Sequence, residues 1–246
     1  MASLEGRIAL ITGASRGIGY ATALALAAEG AQVVAVARTV GGLEELDDAI
    51  KAAGGLPATL VPMDLTDMPA IDRLGAAINE RWGRLDILVA NAGVLGTISP
   101  LGHVEAKTFE KVMTVNVTST WRLIRSLEPL LTKSDAGRAL VLSSGAAHSA
   151  RAFWGPYAAS KAAVEALVRV WADEMSQTPL CVNSIDPGAT RTAMRAQAVP
   201  GEDPATLPKP ADVAARLVPL CHPDMTVSGK LFKVRENRFL DYRSPE

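Results

Sequence analysis

Tyr157 and Lys161 stand four residues apart in the run Gly155-Pro156-Tyr157-Ala158-Ala159-Ser160-Lys161. On a helix, positions i and i+4 share a face, so an ammonium there would lie beside a phenol and favour its ionised form. A free tyrosine titrates near pH ~10. At ~4 Å and an effective dielectric constant of ~20, the Coulomb attraction is about 4 kcal/mol, enough to lower that value by up to about three units. A tyrosine tuned in this way can exchange a proton with an alcohol or a carbonyl near neutral pH. A solvated surface pair has the same spacing, so the elements around the pair must decide between the two.

Short β-branched runs at 7–12, 32–37, 58–62, 86–90, 138–143, 180–184 and 230–234 alternate with alanine-rich helical patterns at 17–29, 43–53, 68–81, 106–131, 157–176 and 211–220. This rhythm implies right-handed βαβ units. The expected fold is α/β: one doubly wound Rossmann-type domain over residues 1–246, with a parallel seven-stranded sheet and helices on both faces. The Tyr157 helix would follow the fifth strand. Within 106–131, the stretch Thr114-Val115-Asn116-Val117-Thr118 is β-branched and a poor helix former. A local distortion there could free a carbonyl for a water. The four prolines within 200–210 exclude an uninterrupted helix; the segment 189–212 is read as a substrate lid over a plain surface loop.

Between the first strand and the first helix lies Thr12-Gly13-Ala14-Ser15-Arg16-Gly17-Ile18-Gly19. In that context glycines allow a tight turn and let the backbone approach a pyrophosphate, which the helix N-terminus then holds. An NAD site would place an acidic residue at the end of the second strand. The chain has Ala37 and then Arg38, with Arg16 in the turn nearby. Two guanidiniums suit the 2′-phosphate of NADP, so NADP(H) is favoured over NAD(H).

The formal net charge of −1 gives no electrostatic footprint for nucleic acid or an anionic membrane. No apolar run reaches the ~20 residues of a membrane span, and no signal peptide is recognised. Two cysteines without ligand spacing argue for a reducing compartment and against a metal site. A cytoplasmic location is expected, with Cys181 as a buried thiol.

In order and position, these motifs make the chain resemble the short-chain dehydrogenase/reductase family across essentially its whole length, nearest to a bacterial branch without a defined substrate. The matching pieces are Gly13 through Gly19, Asp64-Leu65, Asn91-Ala92-Gly93, Asn116, Ser144, Tyr157 with Lys161, and Pro187-Gly188 with Thr192. The resemblance implies that Ser144, thirteen residues before the tyrosine, holds a substrate carbonyl, with Ser143 as backbone support. It implies that Tyr157 transfers the proton, that Lys161 tunes it and binds the nicotinamide ribose, and that Asn116 anchors a relay water. Gly13, Ser15, Arg16, Gly17, Ile18, Gly19, Arg38, Asp64, Leu65, Asn91, Ala92, Gly93, Pro187, Gly188, Thr190 and Thr192 would line the dinucleotide, Asp64 meeting the adenine amino group. Read from its residues alone, Asp64 serves equally as a helix cap.

The expected activity is therefore hydride transfer between NADP(H) and a small-molecule carbonyl/alcohol pair. An NADP(H)-sensing regulatory protein on the same fold is the alternative from another class. A 3-oxoacyl carrier-protein reductase is a third reading, with Arg122, Arg125 and Lys133 as a docking surface. Leu95, Phe153, Trp154 and Met194, with polar His148 and Arg151, are the residues near the expected pocket. Apolar residues on several faces of the helices at 106–131 and 157–176 point to a homodimer or homotetramer.

Overall fold

The structure, a computed structural model, describes residues 4–242. Its strands are β1 (Ile8–Thr12), β2 (Gln32–Ala37), β3 (Thr59–Pro62), β4 (Ile87–Ala90), β5 (Arg138–Leu142), β6 (Cys181–Asp186), β7 (Leu231–Lys233) and β8 (Arg238–Leu240). They form one sheet in the order β3-β2-β1-β4-β5-β6-β7-β8. Every pairing is parallel except β7–β8. The expected sheet of seven parallel strands is thus extended by an eighth, antiparallel one. A 3₁₀ turn at Val234–Glu236 and Asn237 at φ 50° reverse the chain, and Phe239 packs edge-on against Phe232 at 5.0 Å. Three residues are too few to show a two-residue period in the sequence.

The helices are α1 (Gly17–Ala28), α2 (Val40–Ala52), α3 (Met68–Trp82), α4 (Ala106–Met113), α5 (Ser119–Leu131), α6 (Ala146–Ser149), α7 (Gly155–Glu174), α8 (Ala193–Ala198) and α9 (Pro210–Leu217). Strand residues alternate between two cores, as a pleated sheet buried on both faces requires. Ala9 and Ile11 pack with Leu26 of α1, Leu46 of α2 and Leu217 of α9. Ile8 and Leu10 pack with Ile71 of α3, Leu127 of α5 and Val168 and Trp171 of α7. The short helices α6 and α8 lie in loops where no helix was expected, and α2 begins earlier than its glycines suggest.

At the N-terminal edge of the sheet, Asp86 is fully buried. Its carboxylate accepts from the Ile8 amide at 2.9 Å, from Ser134 Oγ at 2.6 Å, and from Arg7 and Arg84, each at 3.2 Å. The network ties β1 to the start of β4 on the edge opposite the glycine turn. Removing the carboxylate leaves the Ile8 amide and the Ser134 hydroxyl without their buried acceptor, while Arg7 keeps Asp135 and Arg84 keeps the Gly6 carbonyl. Asp86→Ala should therefore lower unfolding free energy by about 2–4 kcal/mol, read from urea midpoints, with dinucleotide affinity unchanged below the unfolding transition.

Candidate active site

The parallel strands end together at the opposite edge, where an open α/β sheet places its ligands. Thr12 closes β1, and Gly13 and Gly17 turn the chain with φ of 68° and 61°, values costly for other residues. The turn is fastened to the end of β4. Asn91 Nδ2 donates to the Thr12 carbonyl at 2.9 Å, and Thr12 Oγ1 accepts from the Asn91 and Ala92 amides, both at 3.0 Å. A Cβ on Gly19 would fall 2.4 Å from the Gly13 carbonyl oxygen, so only glycine allows this close fold. No side chain caps the N-terminus of α1, and its first turn holds no acidic residue. Those free amides fit a phosphate. Ser15 is half-buried beside them, while Ile18 packs down onto the core.

Asp64 follows β3. Its carboxylate accepts from the Thr66 amide at 2.9 Å and the Thr66 hydroxyl at 3.0 Å. The Thr66 amide bond, with Arg38 and Lys111 adding to it, holds the carboxyl below its ordinary value against a partial desolvation cost. The cap of α3 is Asp67, which accepts from the Ala70 amide at 3.1 Å, so helix capping does not account for Asp64. Leu65 is buried in the core. Arg16 and Arg38 are exposed. After β6, Gly188 takes φ 70°, Thr190 is buried, and Thr192 caps α8 by accepting from the Arg195 amide at 3.2 Å. A Cβ on Gly17 would lie 3.6 Å from Thr192 Cγ2, so the Pro187–Thr192 stretch arches over the glycine turn.

The distortion expected in the long helix is present as a π-helical turn at Thr114–Thr118, which separates α4 from α5. Hydroxyls serve its loosened carbonyls: Ser119 Oγ donates to Val115 O at 2.6 Å and Thr120 Oγ1 to Asn116 O at 2.8 Å. The Asn116 side chain is fully engaged. Its Oδ1 accepts from the Val94 amide at 2.8 Å, and its Nδ2 donates to Val94 O and to Ser160 Oγ, both at 2.9 Å. A Cβ on Gly93 would lie 3.3 Å from Asn116 Oδ1 and 3.7 Å from Lys161 Nζ. Asn91-Ala92-Gly93 therefore lies between the glycine turn and the Asn116/Lys161 pair.

Tyr157 and Lys161 share the buried face of α7, at 8% and 5% exposure. Ser144 lies against the phenol and favours its ionised form, but burial dominates and Asp186 adds to it, so the phenol is held above its ordinary value. This corrects the expectation of a tyrosine lowered by its lysine. Lys161 Nζ donates to the Leu142 carbonyl at 2.6 Å and lies 5.8 Å from the Tyr157 ring centroid. Its hydrogen bond is spent at the end of β5. Burial pushes Lys161 itself down to about 8, with Glu165 working in the opposite direction.

Three residues play a part that the sequence reading did not give them. Glu165, one turn beyond Lys161, is buried at 4% exposure. Ser143 Oγ donates to Glu165 Oε1 at 2.5 Å, and His148 Nε2 lies 3.0 Å from Oε2. Ser143 is thus a carboxylate partner, and His148, read as a pocket residue, turns towards α7. The spacing 157, 161, 165 was the available signal. The cations considered as a carrier-protein docking surface have partners within the chain: Arg122 pairs with Asp72, Arg125 lies over Trp121, and Lys133 donates to Asn79. Cys181 is half-buried and not enclosed, because it opens β6 at the edge of the core.

Residues 7–203 match the family model for short chain dehydrogenases. The chain belongs to the short-chain dehydrogenase family. It is 42% identical over 212 residues to the uncharacterized oxidoreductase YciK of Escherichia coli K12, covering 85% of this chain and 84% of that protein. It is 38% identical over 205 residues to an uncharacterized NAD-dependent oxidoreductase of Mycobacterium tuberculosis, covering 78% of this chain and 74% of that one. A short-chain dehydrogenase of Shigella flexneri complexed with NADP superposes with a TM-score of 0.92 at 39% identity, covering 95% of this chain and 99% of that one. As a member of this family, the chain is an oxidoreductase of the alcohol/carbonyl type. Among the described residues, no helix is long and apolar enough to cross a membrane.

The buried lysine makes a stability prediction. Lys161 releases its proton near 8 when folded and near 10.5 in the unfolded chain. Between those values the unfolded chain binds more protons, so stability rises with pH. Lys161→Met should stabilise the protein at neutral pH by about 1–3 kcal/mol, after the loss of the Leu142 hydrogen bond. The advantage should vanish as pH rises through that window, which calorimetry across pH would show.

Proposed function

We propose that this short-chain dehydrogenase uses NADP(H) in preference to NAD(H), and reduces a small-molecule carbonyl by means of Ser144, Tyr157, Lys161 and Asn116. The observation that carries the reading is the convergence at one sheet edge of an uncapped, glycine-turned helix N-terminus with a buried Tyr157–Lys161 face. When bound, the dinucleotide supplies or accepts the hydride. Gly13, Gly17 and Gly19 give the backbone its approach to the diphosphate, and Arg16 and Arg38 suit a 2′-phosphate. Asp64, Leu65, Asn91 and Ala92 suit the adenosine end. Pro187, Gly188, Thr190 and Thr192 suit the nicotinamide end.

Ser144 orients the carbonyl oxygen, and Tyr157, its phenol protonated at neutral pH because burial disfavours the phenolate, donates the proton. Lys161 holds the ribose with its ammonium, and the Asn116 carbonyl, which has a second lone pair beside the Thr120 bond, anchors a water that returns protons. The segment 189–212 acts as a lid. Arg195 and Glu202 brace it through a two-point ion pair at 2.6 and 2.7 Å, and a half-open cavity of about 290 Å³ lies among its own residues Arg191, Thr192, Val199 and Leu207. Exposed Phe109, Trp121 and Val170 on α4, α5 and α7 suit the face of a homodimer or homotetramer.

The reading is tested by following NADPH oxidation over a panel of aldehydes, ketones, quinones, sugars and 3-oxoacyl thioesters. Tyr157→Phe should abolish turnover while NADPH binding survives; turnover that persists in the variant would rule out Tyr157 as the acid. For a substrate so found, reduction should fall as pH rises through the Lys161 value of about 8, whereas oxidation of the alcohol product should climb into the alkaline range as the raised phenol ionises.

Cofactor choice is tested separately. Replacing Arg16 and Arg38 together by alanine should weaken NADPH binding at least about tenfold and leave NADH binding within about twofold. Equal losses for both would remove the basis for an NADP preference.

A further inference from the structure

The mechanism above leaves Glu165 without a task, although its position is costly. Tyr157, Lys161 and Glu165 recur at intervals of four on one face of α7 and are all buried. The helix grips three consecutive residues beyond the middle of β5. Lys161 Nζ donates to Leu142 O at 2.6 Å, Glu165 Oε1 accepts from Ser143 Oγ at 2.5 Å, and Tyr157 lies against Ser144. A carboxylate deprived of water is costly unless something compensates its charge, and the neighbouring Val164 and Val168 show that apolar side chains fill this side of α7 without that cost.

The charges around Glu165 are of both signs. From its own helix come Lys161, one turn before, and Arg169, one turn after, which lies over the Tyr242 ring at 5.0 Å. From β6 comes Asp186, which bonds the Gly145 and Gly188 amides at 3.0 Å and opposes ionisation of Glu165. From the end of the described chain comes Tyr242, whose own ionisation Glu165 disfavours. From α6 comes His148, half-exposed, which with Ser143 favours the ionised carboxylate against the dominant effect of burial. Lys161 has a carbonyl as its hydrogen-bond acceptor and, among the described residues, no carboxylate in salt-bridge contact, so its charge depends on field and not on a bonded carboxylate.

We propose that Glu165 is a positioning residue for charge: its carboxylate keeps Lys161 an ammonium, and His148 is the solvent-facing group that keeps the carboxylate ionised. Lys161 thereby stays available to a ribose or a phenol through the neutral range. The inference rests on the assigned role of Lys161, but its test reads a charge and needs no substrate. An inactive enzyme and an uncoupled Lys161 are therefore separate results.

The experiment is a titration of the full-length chain with ¹³C-labelled lysine, followed by NMR, with the Lys161 signal identified by its loss in Lys161→Arg. The unsubstituted protein should show a midpoint near 8. Glu165→Gln keeps the acceptor for Ser143 and the side-chain shape, and should lower the midpoint by about one unit or more. Ser143→Ala removes the hydrogen bond, keeps the charge, and should leave the midpoint in place. An unmoved midpoint in Glu165→Gln overturns the proposal, as does an equal shift in Ser143→Ala, which would show that the Ser143 hydrogen bond and not His148 keeps the carboxylate ionised. If Glu165→Gln does not fold, coupling is still visible in the unsubstituted protein, because it is reciprocal. The Lys161 signal should carry a smaller step in acid as Glu165 takes up its proton, and that step should move to higher pH in His148→Asn. Absence of the step overturns the proposal.

Discussion

The hydrogen bond from Lys161 Nζ to the Leu142 carbonyl carries a charged donor into a region with little water, and much of the active edge depends on it. It joins α7 to the last residue of β5, so that Ser143 and Ser144 leave the strand in register with Glu165 and Tyr157. With the Ser143–Glu165 and Asn116–Ser160 hydrogen bonds, that tie fixes the rotation of α7 about its axis to the precision that proton transfer needs, which apolar packing alone does not. The charge is also a source of instability: burial draws Lys161 down to about 8. The site is a place where the fold gives up stability, and the Asp86 network at the opposite sheet edge is where buried polar groups are satisfied on every side.

A second device serves the same edge. The π-turn at Thr114–Thr118 lets Asn116 leave the regular ladder and spend its whole side chain on Val94 and Ser160. Asn116 thereby links the end of β4 to α7. The glycine turn is linked to the same strand end through Asn91. The end of β4 thus stands between the nucleotide-binding turn and the proton-transfer face, and each is held by hydrogen bonds from an asparagine.

What the sequence showed depended on how local the signal was. The strand–turn–helix context of Gly13 to Gly19 and the β-branched break around Asn116 are visible within a few residues, and both are present in the fold. Strand β8 is three residues long and pairs only because the chain reverses at Asn237, so no periodicity marks it. Glu165 sits in Ala162-Ala163-Val164-Glu165-Ala166-Leu167, where an acid reads as the solvated side of an amphipathic helix. Only the packing of β5, α6 and the Tyr242 end around α7 makes that side an interior. The direction of the Tyr157 shift failed for a related reason: spacing gives the nearness of a lysine but not where its ammonium points. The Leu142 carbonyl that takes its hydrogen bond lies nineteen residues earlier in the chain.

The π-turn has a consequence for how this chain can change length. Each residue of a helix advances it by about 100°, and a π-turn accommodates one residue that a regular helix would not. Loss of one codon between Thr114 and Thr118 would let the ladder close as a continuous α-helix. The core contacts of α4 and α5 could then be kept, but Asn116 would no longer be presented to Val94 and Ser160. Elsewhere along these helices the same deletion would rotate apolar residues out of the core and be lost through misfolding. At this one turn, an inherited deletion could yield a folded protein without its asparagine link, a route by which a family member can retain its fold and part with its chemistry.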